Sequence, residues 1–100
     1  MTWDLAGCLR QVGPGWAGLV TRCWGACRDD GSIVEIFAIK EKFGGLRFYV
    51  GSASEMTYAI IEAAEEESYT ICEMCGEPGK PREGGWIKTL CEKHYEERGR

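Results

Sequence analysis

Histidine occurs once in these 100 residues, at His94. Imidazole is the side chain suited to acid–base work near neutral pH, so catalysis built on several histidines is excluded. Long apolar runs are missing as well, and none approaches the roughly 20 residues a membrane-crossing helix needs. No basic flank and apolar block follow Met1, where Asp4 and Gly7 come early instead. The expectation is therefore a chain without a secretory leader, working in a reducing cytoplasm. In that setting six cysteines read as metal ligands and buried thiols rather than as a disulfide framework.

A surplus of positive charge is also lacking. The formal net charge is −4, and it is unevenly spread: residues 1–50 carry six Lys/Arg against five Asp/Glu, residues 51–100 six against eleven. General phosphate-backbone binding draws on excess Lys and Arg, so the later half is not expected to provide it. A solvated acidic face, or one that meets a basic partner, accounts for the pattern.

What the chain does contain is a ligand pattern near its end. Cys72-Glu-Met-Cys75-Gly76 is followed by Cys91-Glu-Lys-His94, with fifteen residues between Cys75 and Cys91. Two pairs, each with two residues between its members, suit a tetrahedral zinc site of three thiolates and one imidazole. Gly76 can supply the left-handed backbone of the first turn. The loop from Glu77 to Pro81, a short strand ending at Leu90 and a terminal helix starting near Cys91 complete a treble-clef arrangement, with one structural Zn2+ held by Cys72, Cys75, Cys91 and His94. With all four positions filled by protein, no place is left for a substrate or water.

One domain of α+β class is expected, with a helix/hairpin/helix body over residues 1–69 and a zinc module over 70–98. The apolar spacing of Trp3, Leu5, Cys8, Leu9 and Val12 predicts a first helix starting at Thr2 or Asp4. Gly13-Pro14-Gly15 ends it. Trp16, Leu19, Val20, Cys23, Trp24 and Cys27 predict a second, closed by a left-handed turn at Asp30-Gly31. Placing Cys8, Cys23 and Cys27 among tryptophans makes them small core hydrophobes rather than a second metal site.

Two extended runs, Ile33 to Ile39 and Leu46 to Val50, flank Gly44-Gly45, which predicts a hairpin with a two-residue primed turn. Phe43 would then face Leu46, Lys42 would face Arg47, and Ile39 would face Val50. Phe37, Ile39, Phe43, Leu46, Phe48 and Val50 would share the core side, with Glu41 a lone carboxylate among them. Ala38, Lys40, Lys42, Arg47 and Tyr49 would form a basic outer face. Ser52 and Glu55 predict the start of a third helix running to about Ser68, with Met56, Ile60, Ala63 and Ala64 as its apolar stripe. Glu62, Glu65, Glu66 and Glu67 are the intramolecular candidates to neutralise the hairpin's cations.

The segments Ile39-Lys-Glu-Lys-Phe-Gly-Gly-Leu-Arg-Phe-Tyr49 and Cys72-Glu-Met-Cys-Gly-Glu-Pro-Gly-Lys-Pro-Arg82, followed by Gly85-Trp-Ile-Lys-Thr-Leu-Cys91 and His94, resemble a group of small uncharacterised bacterial and phage proteins. A KEKFGGLRFY-like hairpin, a glutamate-containing helix and a cysteine/histidine module occur there in the same order. The resemblance implies an architecture and a zinc site, without an activity, and the host cytoplasm if a phage encodes the chain. A more distant likeness is to the zinc finger of transcription factors that enter the RNA polymerase secondary channel. Here the last ligand is His94 rather than cysteine and no coiled-coil hairpin precedes the finger, so that mechanism does not carry over.

The functional expectation is a non-enzymatic, zinc-stabilised module that binds a macromolecule through Lys40, Lys42, Arg47 and Tyr49 on the hairpin and Lys80, Arg82 and Trp86 on the zinc loop. A protein partner is expected, with no membrane and no small-molecule substrate. Two other readings use the same residues: a phage-encoded inhibitor of a host defence or nucleic-acid-processing complex, and a nucleic-acid-binding module.

Overall fold

The Asp4 carboxylate accepts a hydrogen bond from the Gly7 N–H at 2.7 Å and starts α1, Leu5–Leu9, in a computed structural model that describes residues 3–98. Thr2, the other predicted cap, lies outside the described residues. The helix stops short of Val12 because the chain must turn toward the distant cysteine module: the Gly15 N–H donates to the Glu73 carbonyl at 2.7 Å. A 3₁₀ turn, Pro14–Trp16, then leads into α2, Ala17–Asp29.

The predicted stripe of α2 is the centre of the core. Trp16, Leu19, Val20, Cys23 and Cys27 are buried, and Trp24 is half-buried with its indole N–H donating to the Trp3 carbonyl at 3.1 Å. Val34, Ile36, Ile39, Leu46, Phe48, Ile61 and Ala64 close around them. The end of α2 departs from expectation. Asp30 is extended and Gly31 is not left-handed, because the Asp30 carboxylate takes over as the terminator. It accepts from the Ser32 N–H at 2.9 Å, the Ser54 N–H at 3.0 Å and the Thr57 hydroxyl at 2.6 Å, tying the end of α2 to the start of the next helix.

Strands β1, Ile36–Lys42, and β2, Gly45–Val50, form the hairpin. Its turn is Phe43-Gly44, both with positive φ, rather than Gly44-Gly45. The pairing is Lys42 with Gly45, Lys40 with Arg47 and Ile39 with Phe48. Gly45 has a different duty: a Cβ there would sit 2.3 Å from the Tyr69 hydroxyl. The slip moves each partner by two residues, so alternation still places Ile39, Leu46 and Phe48 inward. A register shift between Ile36 and Ala38 turns Ile36 into the core and leaves Phe37 exposed, and the turn leaves Phe43 exposed too.

Helix α3, Glu55–Glu67, begins at Ser54, whose hydroxyl accepts from the Thr57 N–H at 3.2 Å; Ser52 does not cap it. Its buried residues are Thr57, Ile61 and Ala64, while Met56 and Ala63 face solvent and Ile60 is half-buried. The predicted stripe is thus rotated by one position, because Asp30 draws Thr57 inward. A 3₁₀ turn, Ser68–Thr70, leads to the C-terminal module, where β3, Lys80–Arg82, pairs with β4, Lys88–Leu90, before α4, Glu92–Arg98. The fold is α+β, with four α-helices among the described residues and two small antiparallel hairpins. No helix among them is long and apolar enough to cross a membrane.

Candidate metal centre

The first ligand pair sits on a knuckle. The Gly76 N–H donates to the Cys72 carbonyl at 2.9 Å and the Cys72 N–H to the Glu77 carbonyl at 2.8 Å, with Gly76 at φ +83°. The N-terminal glycines brace it from outside. A Cβ on Gly15 would lie 1.9 Å from the Cys72 carbonyl oxygen, and one on Gly13 2.4 Å from that of Glu73. The second pair straddles the start of α4, where the Tyr95 N–H donates to the Cys91 carbonyl at 2.9 Å.

These turns bring the three sulfurs and one imidazole nitrogen within 4.8 Å of one another. Cys75 Sγ lies 3.8 Å from Cys91 Sγ, and His94 Nδ1 lies 3.6 Å from Cys72 Sγ and 3.2 Å from Cys91 Sγ. In a tetrahedral site with metal–sulfur bonds near 2.3 Å and a metal–nitrogen bond near 2.0 Å, sulfurs stand about 3.8 Å apart and sulfur and nitrogen about 3.5 Å. The cluster therefore has the spacing that one metal ion requires. His94 Nε2, the other ring nitrogen, lies 3.9 Å from Glu97 Oε2, beyond hydrogen-bond length.

The electrostatics favour deprotonated sulfur at the buried end. Burial of Cys72 opposes its thiolate, but the N–H groups of Cys91, Met74 and Cys75 together bring its pKa down to about 6. At Cys75 the Glu77 N–H favours the thiolate, yet desolvation and the adjoining Cys72 and Cys91 sulfurs leave its pKa above the ordinary value. Thiolates this close oppose one another's ionisation, and a divalent cation at their centre removes that opposition. Cys8, Cys23 and Cys27 belong to another environment. Burial, joined by Asp4, pushes Cys8 up to about 11; burial, joined by Cys27 and Glu65, pushes Cys23 up to about 12; and burial raises Cys27. They join no metal-ligand cluster among the described residues.

A polar junction not anticipated from the sequence welds the metal centre to the hairpin. Lys88 Nζ reaches Glu41 Oε1 at 3.0 Å and Glu73 Oε1 at 3.4 Å, so Glu41 is not a lone carboxylate. The Glu73 carboxylate also accepts from the buried Thr89 N–H at 2.9 Å, and that of Glu41 from the Gly44 N–H at 2.8 Å. Burial raises the pKa of Glu73, offset in part by the Thr89 N–H and Lys88.

The remaining candidate contact residues divide into two groups. Lys40 and Lys42 project from β1 with no carboxylate of the described residues within 4.0 Å; Lys40 lies 5.4 Å from the Tyr49 ring and Lys42 5.8 Å from the Phe43 ring. Lys80 is exposed on β3. Arg47 donates to the Tyr69 hydroxyl at 3.0 Å, while Arg82 donates to the Leu90 carbonyl at 3.2 Å, pairs with Glu92 and lies over Tyr95. Both arginines are engaged within the chain. The α3 glutamates do not form the expected pairs with the hairpin cations: Glu65 accepts from the Phe48 N–H at 2.8 Å and Glu67 pairs with Arg22. Trp86 is 70% exposed and stands with Phe43, 64% exposed, around an open cleft of about 280 Å³.

No family model, curated protein or solved structure matches this chain.

Proposed function

We propose that the chain is a non-catalytic, zinc-stabilised interaction module whose protein-binding surface lies beside the metal. The observation that carries this reading is the convergence of Cys72, Cys75, Cys91 and His94 at tetrahedral separations. Magnesium and calcium take oxygen ligands, whereas three thiolates with one imidazole suit zinc. Four protein ligands make the ion structural, a staple of real value to a chain of this size.

The chemical groups of the molecule support a binding role. His94 is committed to the cluster, and the carboxylates of Glu41 and Glu73 are committed to Lys88 and backbone N–H groups. The surface left free combines Lys40, Lys42 and Tyr49 with the exposed Phe43 and Trp86. Arg47 and Arg82 hold that surface in place through their bonds to Tyr69 and Leu90.

Cobalt(II) substitution tests the metal part: the intense absorption of a tetrahedral cobalt site with thiolate charge transfer is expected, and a weak octahedral spectrum would overturn it. Affinity capture with wild type, Lys40→Glu/Lys42→Glu and Trp86→Ala tests the binding part. A protein retained by wild type and lost from both variants is expected; identical captures from all three would refute the assignment of the surface.

A further inference from the structure

The two-stranded hairpin has two outer edges, and they are treated differently. On β2 the outward N–H groups are satisfied by side chains: Leu46 donates to the Ser68 hydroxyl at 2.9 Å and Phe48 to Glu65 at 2.8 Å. Leu46 and Phe48 face Glu41 and Ile39 across the ladder. In an antiparallel pair, residues opposite one another both direct their main-chain groups inward or both outward. Ile39 and Glu41 therefore present N–H and C=O groups along the outer edge of β1. Among the described residues no further strand pairs at Ile39 and Glu41, and no hydrogen bond from another element reaches these groups. An open edge is a template for an added strand.

The chain's own charges oppose the simplest occupant, a second copy. Antiparallel pairing of β1 with itself sets Lys40 and Lys42 against the same lysines of the other copy, and like charges directly opposite destabilise a ladder. The same two lysines, two residues apart and free of carboxylates, match acidic side chains at alternate positions of an incoming strand. At the Lys42 end the cleft between Phe43 and Trp86, floored by Ile87, gives an apolar residue of that strand a place to anchor. Lys88 neutralises Glu41 there, so the cleft does not repel an acidic segment.

We infer that the partner binds by strand addition: an extended protein segment with acidic residues at alternate positions pairs with β1 at Ile39 and Glu41 and anchors an apolar side chain between Phe43 and Trp86. This rests on the protein-binding reading above and names its mode and chemistry. Nucleic acid, lacking a peptide backbone, can use the lysines and the aromatic rings but not the edge.

The probe is a fluorescent hexapeptide with Asp and Val alternating and Leu at its end, tested on the metal-loaded chain. Three controls accompany it: a Lys-for-Asp peptide, a peptide N-methylated at the edge-pairing residues, and a single-stranded oligo(dT). The inference expects binding of the acidic peptide and a loss of about tenfold or more on N-methylation, since each lost main-chain hydrogen bond is worth about 1 kcal/mol. Lys40→Glu/Lys42→Glu should shift preference to the Lys peptide, and the amides of Ile39 and Glu41 should gain protection from hydrogen exchange. No binding of the acidic peptide, binding indifferent to N-methylation, or lysine-dependent binding of oligo(dT) alone would overturn it. A captured protein partner that depends on Lys40, Lys42 and Trp86 yet leaves the two amides unprotected would leave the interaction reading standing and remove strand addition. Identical capture by wild type and variants would remove the assignment of the binding surface on which strand addition rests.

Discussion

The Thr89 hydroxyl donates to the carbonyl of Gly44 at 2.6 Å. Forty-five residues apart in sequence, these two join the turn of the first hairpin to the strand that leads into Cys91. Thr89 is fully buried, so the bond has no water to replace it. Thr89→Val keeps the shape and removes the donor, leaving the Gly44 carbonyl unsatisfied. Denaturant unfolding should show a loss of about 1–3 kcal/mol, with Thr89→Ser recovering part of it.

Two glycines separate close packing from simple flexibility. Gly15→Ala must push the Cys72 carbonyl aside, so it should both destabilise the fold and weaken metal retention against a chelator. Gly25, inside α2 with open space around its Cα, predicts the reverse. Gly25→Ala should raise stability by about 0.5–1 kcal/mol through the lower chain entropy of the unfolded state, read as a higher denaturation midpoint at unchanged metal content.

The six thiols should fall into two sets. Thiolate is the reactive form, and the raised pKa values of Cys8, Cys23 and Cys27, together with their burial, keep them protonated and covered at pH 8. A thiol reagent added with a chelator should modify Cys72, Cys75 and Cys91 first, and the other three only when denaturant unfolds the body. Mass spectrometry of the labelled peptides checks the order; simultaneous labelling of all six would contradict it.

Acid should expose the role of Asp30. Hydrogen bonds from Thr57, Ser54 and Ser32 hold its carboxyl well below the ordinary value of 3.8. A group whose folded pKa is depressed contributes stability that is present above its unfolded pKa and lost as pH falls through the folded one. Wild type should therefore be more stable than Asp30→Asn at pH 7, and the difference between the two should begin to narrow below about pH 4. Paired urea titrations across that range measure it, and a constant difference would show that the charge is not what matters.

How far the sequence discloses the molecule depends on the range of the interaction. The cysteine spacing and the stripe of α2 are local patterns that one turn or one helix face determines, and both are realised in the fold. The hairpin was legible as a hairpin, but its turn lies one residue earlier because Gly45 is reserved for Tyr69, a contact 24 residues away that no local rule contains. The face of α3 rotates for a similar reason, since Asp30 draws in Thr57. The Glu41, Lys88 and Glu73 junction joins three segments separated by 15 and 47 residues. Phe43 read as core because a Gly44-Gly45 turn would make it the last inward residue of the ladder, yet it is part of the turn and emerges at the tip of the hairpin beside Trp86.

The central claim is that one structural zinc ion joins Cys72, Cys75, Cys91 and His94. Native mass spectrometry of protein purified without added metal tests it most directly, read together with cooperative unfolding of the same sample. The account predicts one zinc ion per chain, lost in Cys91→Ala along with the cooperative transition of the C-terminal module. A metal-free wild-type chain whose C-terminal module still unfolds cooperatively, and does so unchanged in Cys91→Ala, would contradict it.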